Sequence, residues 1–328
     1  MRRREFIKVL GGAAACWPFV AAAQQSSGTR KIGVLMSTAE SDSQSRAGVS
    51  AFERGLQGHG WKLGNNLQIE YRWTASNTNL YRRFAQELAA FAPDVIVAVG
   101  ATGVSELQQV TRTIPIVFLG TNDPIDRGLI TSMDRPGGNA TGFIDFEFTM
   151  GRKWLELLKQ LAPGVSRVAV IRNPVQFSGI GLAAVEKAAP SFNVEVNPID
   201  GRSAIEMEQN ITAFARGTNG GLIVTPSPFS VLYRDLIVKL ADQYKLPAVY
   251  FNRYFVVAGG LISYGPDLLE QYRGAAGYVD RILKGEKPGE LPVQPPAKFE
   301  LAINLRTAKA LGLKVPSAVV GHATEVIE

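Results

Sequence analysis

The sequence predicts an α/β protein built as two lobes, each around a parallel sheet of Rossmann-like type. Short β-branched runs alternate with amphipathic segments of helical spacing, a pattern that calls for a parallel sheet covered by helices on both faces. Four of the strand-like runs recur in the same order in the second half. The 328 residues also exceed what one hydrophobic core usually encloses.

Residues 1–23 read as an export leader and are set apart from the fold. Arg2, Arg3, Arg4 and Lys8 make a basic start, residues 9–20 an apolar core, and Ala21, Ala22 and Ala23 a small-residue end, the three parts of a secretory signal. The apolar core is broken by Gly11, Gly12 and Pro18 and falls short of the roughly 20 residues a spanning helix needs. Arg3 and Arg4 followed by Phe6, Ile7 and Lys8 fit the twin-arginine address, with an ordinary secretory signal as the alternative. The single cysteine, Cys16, follows Ala13, Ala14 and Ala15. Lipid attachment there is the weaker reading, because the usual Leu three residues before it is missing. Cleavage after Ala23 leaves no cysteine for a disulfide, a metal site or a nucleophile.

Behind the leader, residues 31–36 form the first buried strand and residues 47–59 a helix with Val49, Phe52 and Leu56 on one face. Residues 67–73 are the second strand. Leu80, Phe84, Leu88 and Phe91 then line one side of a helix. Residues 94–100 and 114–120 complete the first set, each β-branched and each ended by glycine. The second set follows at 167–172, 194–199, 221–225 and 246–251. Matching positions lie between 127 and 136 residues apart, and Pro115 and Pro247 open the fourth strand in both sets. Residues 261–265 add a strand and 267–284 a helix. Pro288, Pro292, Pro295 and Pro296 make an extended connection, and a strand at 299–305 precedes a short final helix.

Charge excludes one class of partner. The leader carries four of the 35 basic and one of the 29 acidic residues, so the remainder is nearly balanced. Its charges are mixed rather than striped, which argues against nucleic acid.

In open parallel sheets ligands bind beyond the carboxyl ends of the strands, where helix N-termini offer unpaired N–H groups. Those positions hold small hydroxyl, amide and glycine residues here: Ser37, Thr102, Gly103, Thr121, Asn122 and Asp123 in the first half, and Asn173, Ser227, Asn252 and Arg253 in the second. The set suits reversible recognition of a small polar or zwitterionic solute. Thr102 and Gly103 are expected to meet a carboxylate and Asp123 an ammonium group, with Phe177, Phe251 and Tyr264 as candidate apolar walls. Taken singly, each polar residue is equally a helix cap or a turn former.

Catalytic signatures are missing from the sequence. The two histidines, His59 and His322, stand away from the strand tips, so neither is placed as a general base. No dinucleotide fingerprint, P-loop, nucleophile elbow or metal-ligand spacing is found. No cofactor or metal is expected.

Residues 69–73, 114–118 and 122–124, the run 135–139 with Thr141 and Gly142, and residues 255–265, 281–287 and 298–313 carry a resemblance. With them the chain resembles the ABC-type transport substrate-binding proteins, the group described as an uncharacterised periplasmic component, over nearly its whole length. The resemblance implies a type 1 periplasmic binding fold of two lobes joined by a three-segment hinge. It places residues 30–141 with 261–285 in lobe one and 142–260 with 286–328 in lobe two. Crossings are then expected at Thr141-Gly142, at Gly259-Gly260 and in the proline-rich stretch. It further implies a monomeric periplasmic protein without enzymatic activity. Such a protein closes on an amino acid or aromatic compound and hands it to an ABC permease and its ATPase, touching the membrane only through that permease. Some relatives bind tryptophan or phenylalanine. Asn122, Asp123, Asn173 and Pro174 fit the family's cleft loops, whereas Asn252-Arg253 departs from the acidic residue many members carry. A ligand-sensing module for a membrane receptor and a periplasmic enzyme on the same frame are the alternatives.

Overall fold

The computed structural model describes residues 28–172 and 179–328; the leader lies outside them. The first sheet contains β1 (Arg30–Met36), β2 (Leu67–Trp73), β3 (Val95–Val99), β4 (Ile116–Leu119) and β5 (Ala140–Phe143). Its order is β2-β1-β3-β4-β5, parallel throughout. Strands buried on both faces need near-continuous apolar runs, and all four residues of β4 are buried. Helix α1 (Ser43–Gly58) covers one face, with Phe52 and Leu56 on Val95 and Val97. Helices α2 (Thr78–Ala90) and α3 (Ala101–Val110) cover the other, where Tyr81, Leu88, Val104 and Leu107 meet Ile96, Ala98 and Phe118.

The second unit begins with α4 (Thr149–Leu161) and runs through β6 (Arg167–Arg172), α5 (Ile180–Ala188), β7 (Glu195–Asp200), α6 (Ala204–Ala215) and β8 (Gly220–Val224). It continues with α7 (Pro228–Leu232), α8 (Arg234–Gln243), β9 (Ala248–Tyr250), α9 (Arg253–Val257) and β10 (Ile262–Pro266). After α10 (Leu268–Leu283) come β11 (Phe299–Asn304), α11 (Leu305–Ala310), α12 (Ser317–His322) and β12 (Glu325–Ile327). The sheet order is β12-β11-β10-β9-β8-β6-β7; only β10 and β11 pair antiparallel. The repeat read from the sequence is thus a repeat of topology, since β2-β1-β3-β4 and β7-β6-β8-β9 have the same order. Trp154 of α4 is fully buried, and its indole N–H donates to the Tyr264 carbonyl at 2.7 Å.

Strand pairing moves the expected lobe boundaries. Thr141 and Gly142 lie inside β5, paired with Val117 and Phe118, so the first crossing follows Phe143. Gly259 and Gly260 sit within the second unit, between α9 and β10. Residues 261–285 divide: β10 pairs with β9 of the second sheet, while α10 lies on α1, with Ala275, Ala276 and Val279 in the first core. The chain therefore crosses at Asp267. Leu291 and Val293 also belong to the first unit's cores, which sets the third crossing after Gln294. The crossings are tied to one another, Ile144 N–H to the Gln294 carbonyl at 3.0 Å and Asp267 N–H to the Lys298 carbonyl at 3.0 Å.

Sequence-distant α10 can reach α1 because α1 presents glycine where they touch. A Cβ on Gly48 would stand 2.4 Å from the Tyr272 ring, and one on Gly55 2.7 Å from the Ala276 Cβ. Overpacking of this kind costs about 1–3 kcal/mol. Gly55→Ala is expected to lower unfolding stability by that amount in denaturant titration, despite alanine's higher helix propensity.

Candidate functional site

The carboxyl ends of the strands in the two sheets face one another across a cavity. Ser37 and Thr38 follow β1, Val99 and Gly100 end β3, and Leu119 and Gly120 end β4. From the other lobe come Pro226 and Ser227 after β8, Val231 of α7 and Phe251 after β9. Residues Gln44 and Ser45 of α1, and Leu268, Leu269, Gln271 and Tyr272 of α10, complete the wall with Asp145 of the first crossing. The volume open to the centre of a water molecule is about 100 Å³. One buried water needs roughly 10–15 Å³ on that measure, so the space suits a solute of several heavy atoms and more.

Most of the wall is apolar, and its charge is a single carboxylate. No Lys, Arg or His is among the described residues that line the cavity. Asp145 retains slight exposure on the cavity side, yet protein crowds its carboxyl from every direction and Oδ1 is sealed without a hydrogen-bond partner. Burial pushes its pKa up to about 6; the adjacent Asn122 amide and its own backbone oppose the shift. Gly120 makes room for the carboxyl: its φ is +61°, and a Cβ there would lie 3.4 Å from Oδ2. The Gln271 side-chain amide Nε2 donates to the Ile144 carbonyl at 2.8 Å, which fixes the backbone beside Asp145 to α10.

The positive end of a helix opens nearby. Gly100 is the N-cap of α3 and supplies no capping side chain, so the first N–H groups of α3 lie next to the cavity that Gly100 lines. The hydroxyls around it are mostly committed. Thr38 Oγ1 and Ser45 Oγ are 2.6 Å apart. Ser227 Oγ accepts the Ser230 N–H at 3.0 Å and pairs with Ser230 Oγ at 2.8 Å.

Of the residues singled out in the sequence, Ser37 and Ser227 line the cavity. Thr121 and Asn122 adjoin it behind Gly120, buried, with Thr121 Oγ1 unpartnered and the Asn122 amide beside the Asp145 carboxyl. Thr102 is the second residue of α3, beside the uncapped end. Gly103 faces inward, where a Cβ would meet Leu35 at 3.2 Å, so it serves close packing. Asp123 adopts a left-handed φ of 51° and is outside the cavity lining; its charge acts on Arg127. Asn252 caps α9, accepting the Tyr254 N–H at 2.9 Å. Arg253 donates to Glu325 at 2.7 Å in a separate groove. Tyr264 stacks on Phe299 with centroids 5.4 Å apart, away from the cleft. Asn173 and Phe177 lie outside the described residues. Sequence reading passed over Asp145, Gln271 and Tyr272, although a lone carboxylate in the run Phe143, Ile144, Asp145, Phe146 was a usable signal.

Two α/β lobes, three hinge-like crossings and a cavity between facing strand ends define a two-lobed solute-binding protein. The sequence model of the family described as ABC transporter substrate binding protein matches residues 31–327, and this chain belongs to that family. It is a solute-binding component of an ABC transporter and not an enzyme. A tyrosine-binding protein of Clostridioides difficile (strain R20291) is 27% identical over 268 residues, 81% of this chain and 77% of that one. A conserved domain protein from Vibrio cholerae superposes with a TM-score of 0.85 at 26% identity, over 91% of this chain and 99% of that one. An ABC domain from Streptococcus pneumonia in complex with L-Trp gives a TM-score of 0.84 at 22% identity, over 92% and 100%.

Because the Ser227 hydroxyl is spent on capping α7, Ser227→Ala is expected to cost about 1 kcal/mol of stability. Solute affinity should stay within a few-fold of the parent, which calorimetry on the same preparation checks.

Proposed function

We propose that this chain captures an α-amino acid with an aromatic side chain by closing its lobes around it, in the periplasm, and presents it to an ABC permease. The observation that carries the reading is Asp145, a cavity-lining carboxylate whose Oδ1 is sealed and which has no cation beside it in the lining. An ammonium group is the partner this site lacks; a charge-assisted hydrogen bond to it is roughly twice as strong as a neutral one. The uncapped start of α3 offers N–H groups and a positive dipole end to the solute carboxylate. Val99, Leu119, Val231, Phe251 and the two leucines of α10 offer an apolar envelope to its side chain. The ligands named for two relatives, tyrosine and tryptophan, have this same zwitterionic head and aromatic body. Export by the twin-arginine route, from Arg3 and Arg4, belongs to the same reading.

Closure follows from the same carboxylate. In the open form water solvates Asp145 and its pKa returns towards the usual value near 3.9. In the closed, empty form it rises to about 6, so at neutral pH closure forces an ionised group out of water. That penalty is up to ~3 kcal/mol at 1.36 kcal/mol per pH unit. A bound ammonium removes it, and the solute thereby favours the closed state by its differential contacts.

L-tryptophan and L-tyrosine are expected to bind in titration calorimetry. Asp145→Asn should weaken them at least 100-fold, and 3-(4-hydroxyphenyl)propionate, which lacks the ammonium group, should bind comparably poorly. Equal affinity of the two tyrosine analogues would remove Asp145 from the solute's head group. The pH dependence of the empty protein has a definite sign. The closed form holds its proton up to about pH 6 and the open form only to about pH 4. Acid therefore favours closure, and the closed fraction falls as pH rises through 6. Small-angle scattering should show a smaller radius of gyration at pH 5 than at pH 7, and Asp145→Asn should abolish the difference.

A further inference from the structure

A second contact joins the lobes at the mouth of the cavity, and solute recognition makes no use of it. Asp42 caps α1, its Oδ1 accepting the Ser45 N–H at 2.8 Å. The other oxygen, Oδ2, stands 3.7 Å from Nη1 of Arg234 on α8, in the opposite lobe. Both side chains are largely screened from water, 13% and 18% exposed, so solvent weakens the pair less than it does an open surface bridge.

The placement of Arg234 has no local explanation. It occupies the first position of α8, where the helix dipole disfavours a cation. Its Nη1 is buried without a hydrogen-bond partner, and its Nε reaches only the neighbouring Asp235 at 3.3 Å. A buried donor left unpaired is costly. Across the cleft, however, a further approach of less than about 1 Å brings Asp42 Oδ2 into hydrogen-bond range. Neither residue lines the cavity, but Gln44 and Ser45 on one side and Val231 on the other are close neighbours in sequence that do.

We propose that Asp42 and Arg234 form an electrostatic latch across the cleft mouth, with Arg234 a positioning residue that strengthens solute binding by holding the lobes shut without touching the solute. The latch rests on the closure reading above and not on which solute binds. It opposes solute escape, so its loss acts on the dissociation rate more than on association.

The test uses the full chain with Cys16→Ser and spin labels at Gln57→Cys and Gln243→Cys, exposed positions on α1 and α8. Interlobe distances are measured by pulsed electron resonance during titration with L-tryptophan and L-tyrosine. Asp42→Asn retains the helix cap, so an unchanged melting temperature separates loss of the latch from loss of fold. In Asp42→Asn, in Arg234→Gln and in the double variant, the short-distance population should need about three- to tenfold more solute. The double variant should be no weaker than the singles, the mark of one shared interaction. In 1 M salt the parent should move towards the variants. Parent-like titrations, or effects that multiply in the double variant, overturn the latch while leaving closure intact. Should neither amino acid close or bind to the parent, the solute assignment falls and the empty protein decides. A short-distance population in low salt that Arg234→Gln loses supports the latch, and identical distributions overturn it.

Discussion

Parallel pairing is the constraint on which the rest of this molecule depends. A parallel strand cannot return by a tight turn, so the connections run back over a face of the sheet, most of them as helices. All strand ends of one sense therefore gather along one edge. Here two such edges face each other, and the polypeptide crosses between them at Phe143, Asp267 and Gln294. Helix starts, glycine-ended strands and the first crossing all converge on one cavity as a consequence. Gly100 and Gly120 take positive φ where β3 and β4 stop, turning the chain without a side chain to fill the space. Antiparallel β11 is added to the second sheet beyond β10 and contributes no residue to the cavity lining.

A single acid in such a place dominates the energetics. A protein cation or a ligand cation can satisfy a carboxylate, and the described residues lining the cavity provide no cation to Asp145. On the proposed function, recognition and closure become the same event: the charge proposed to select an ammonium group is also the one that resists an empty closed state. Behind Gly120 the Asn122 amide lies beside the Asp145 carboxyl, and Thr121 Oγ1 is buried without a partner. The hydroxyls further round the wall are tied to one another and to helix starts, which makes them scaffold first and contact second.

Strands and helices were legible in the sequence because their signals are local. The apolar runs at 31–36, 67–73 and 167–172 are the strands β1, β2 and β6 almost to the residue, and the two matching sets of strands are the two matching sheet orders. Of the strand-end positions, Ser37 and Ser227 line the cavity. Positions three residues apart face opposite ways, Gly103 packing on Leu35 and Gly100 opening to the cleft. Tyr264 lies away from the cavity lining. Its strand belongs to the second sheet, and its ring leans on Phe299 of the antiparallel neighbour.

The sequence by itself determined the class of fold, the number of lobes and the matching succession of strands in each, because periodicity and repeat are properties of neighbouring residues. Tertiary structure alone decided the chemistry of the cleft. Asp145 acquires its meaning from burial beside Gly120, with α10 fixed to its backbone at Ile144 by Gln271, and Arg234 acquires its own from Asp42 in the opposite lobe. Those relations join residues more than a hundred positions apart in two of the three cases. No local pattern encodes them, since they depend on which loops the closed lobes bring within a few ångströms.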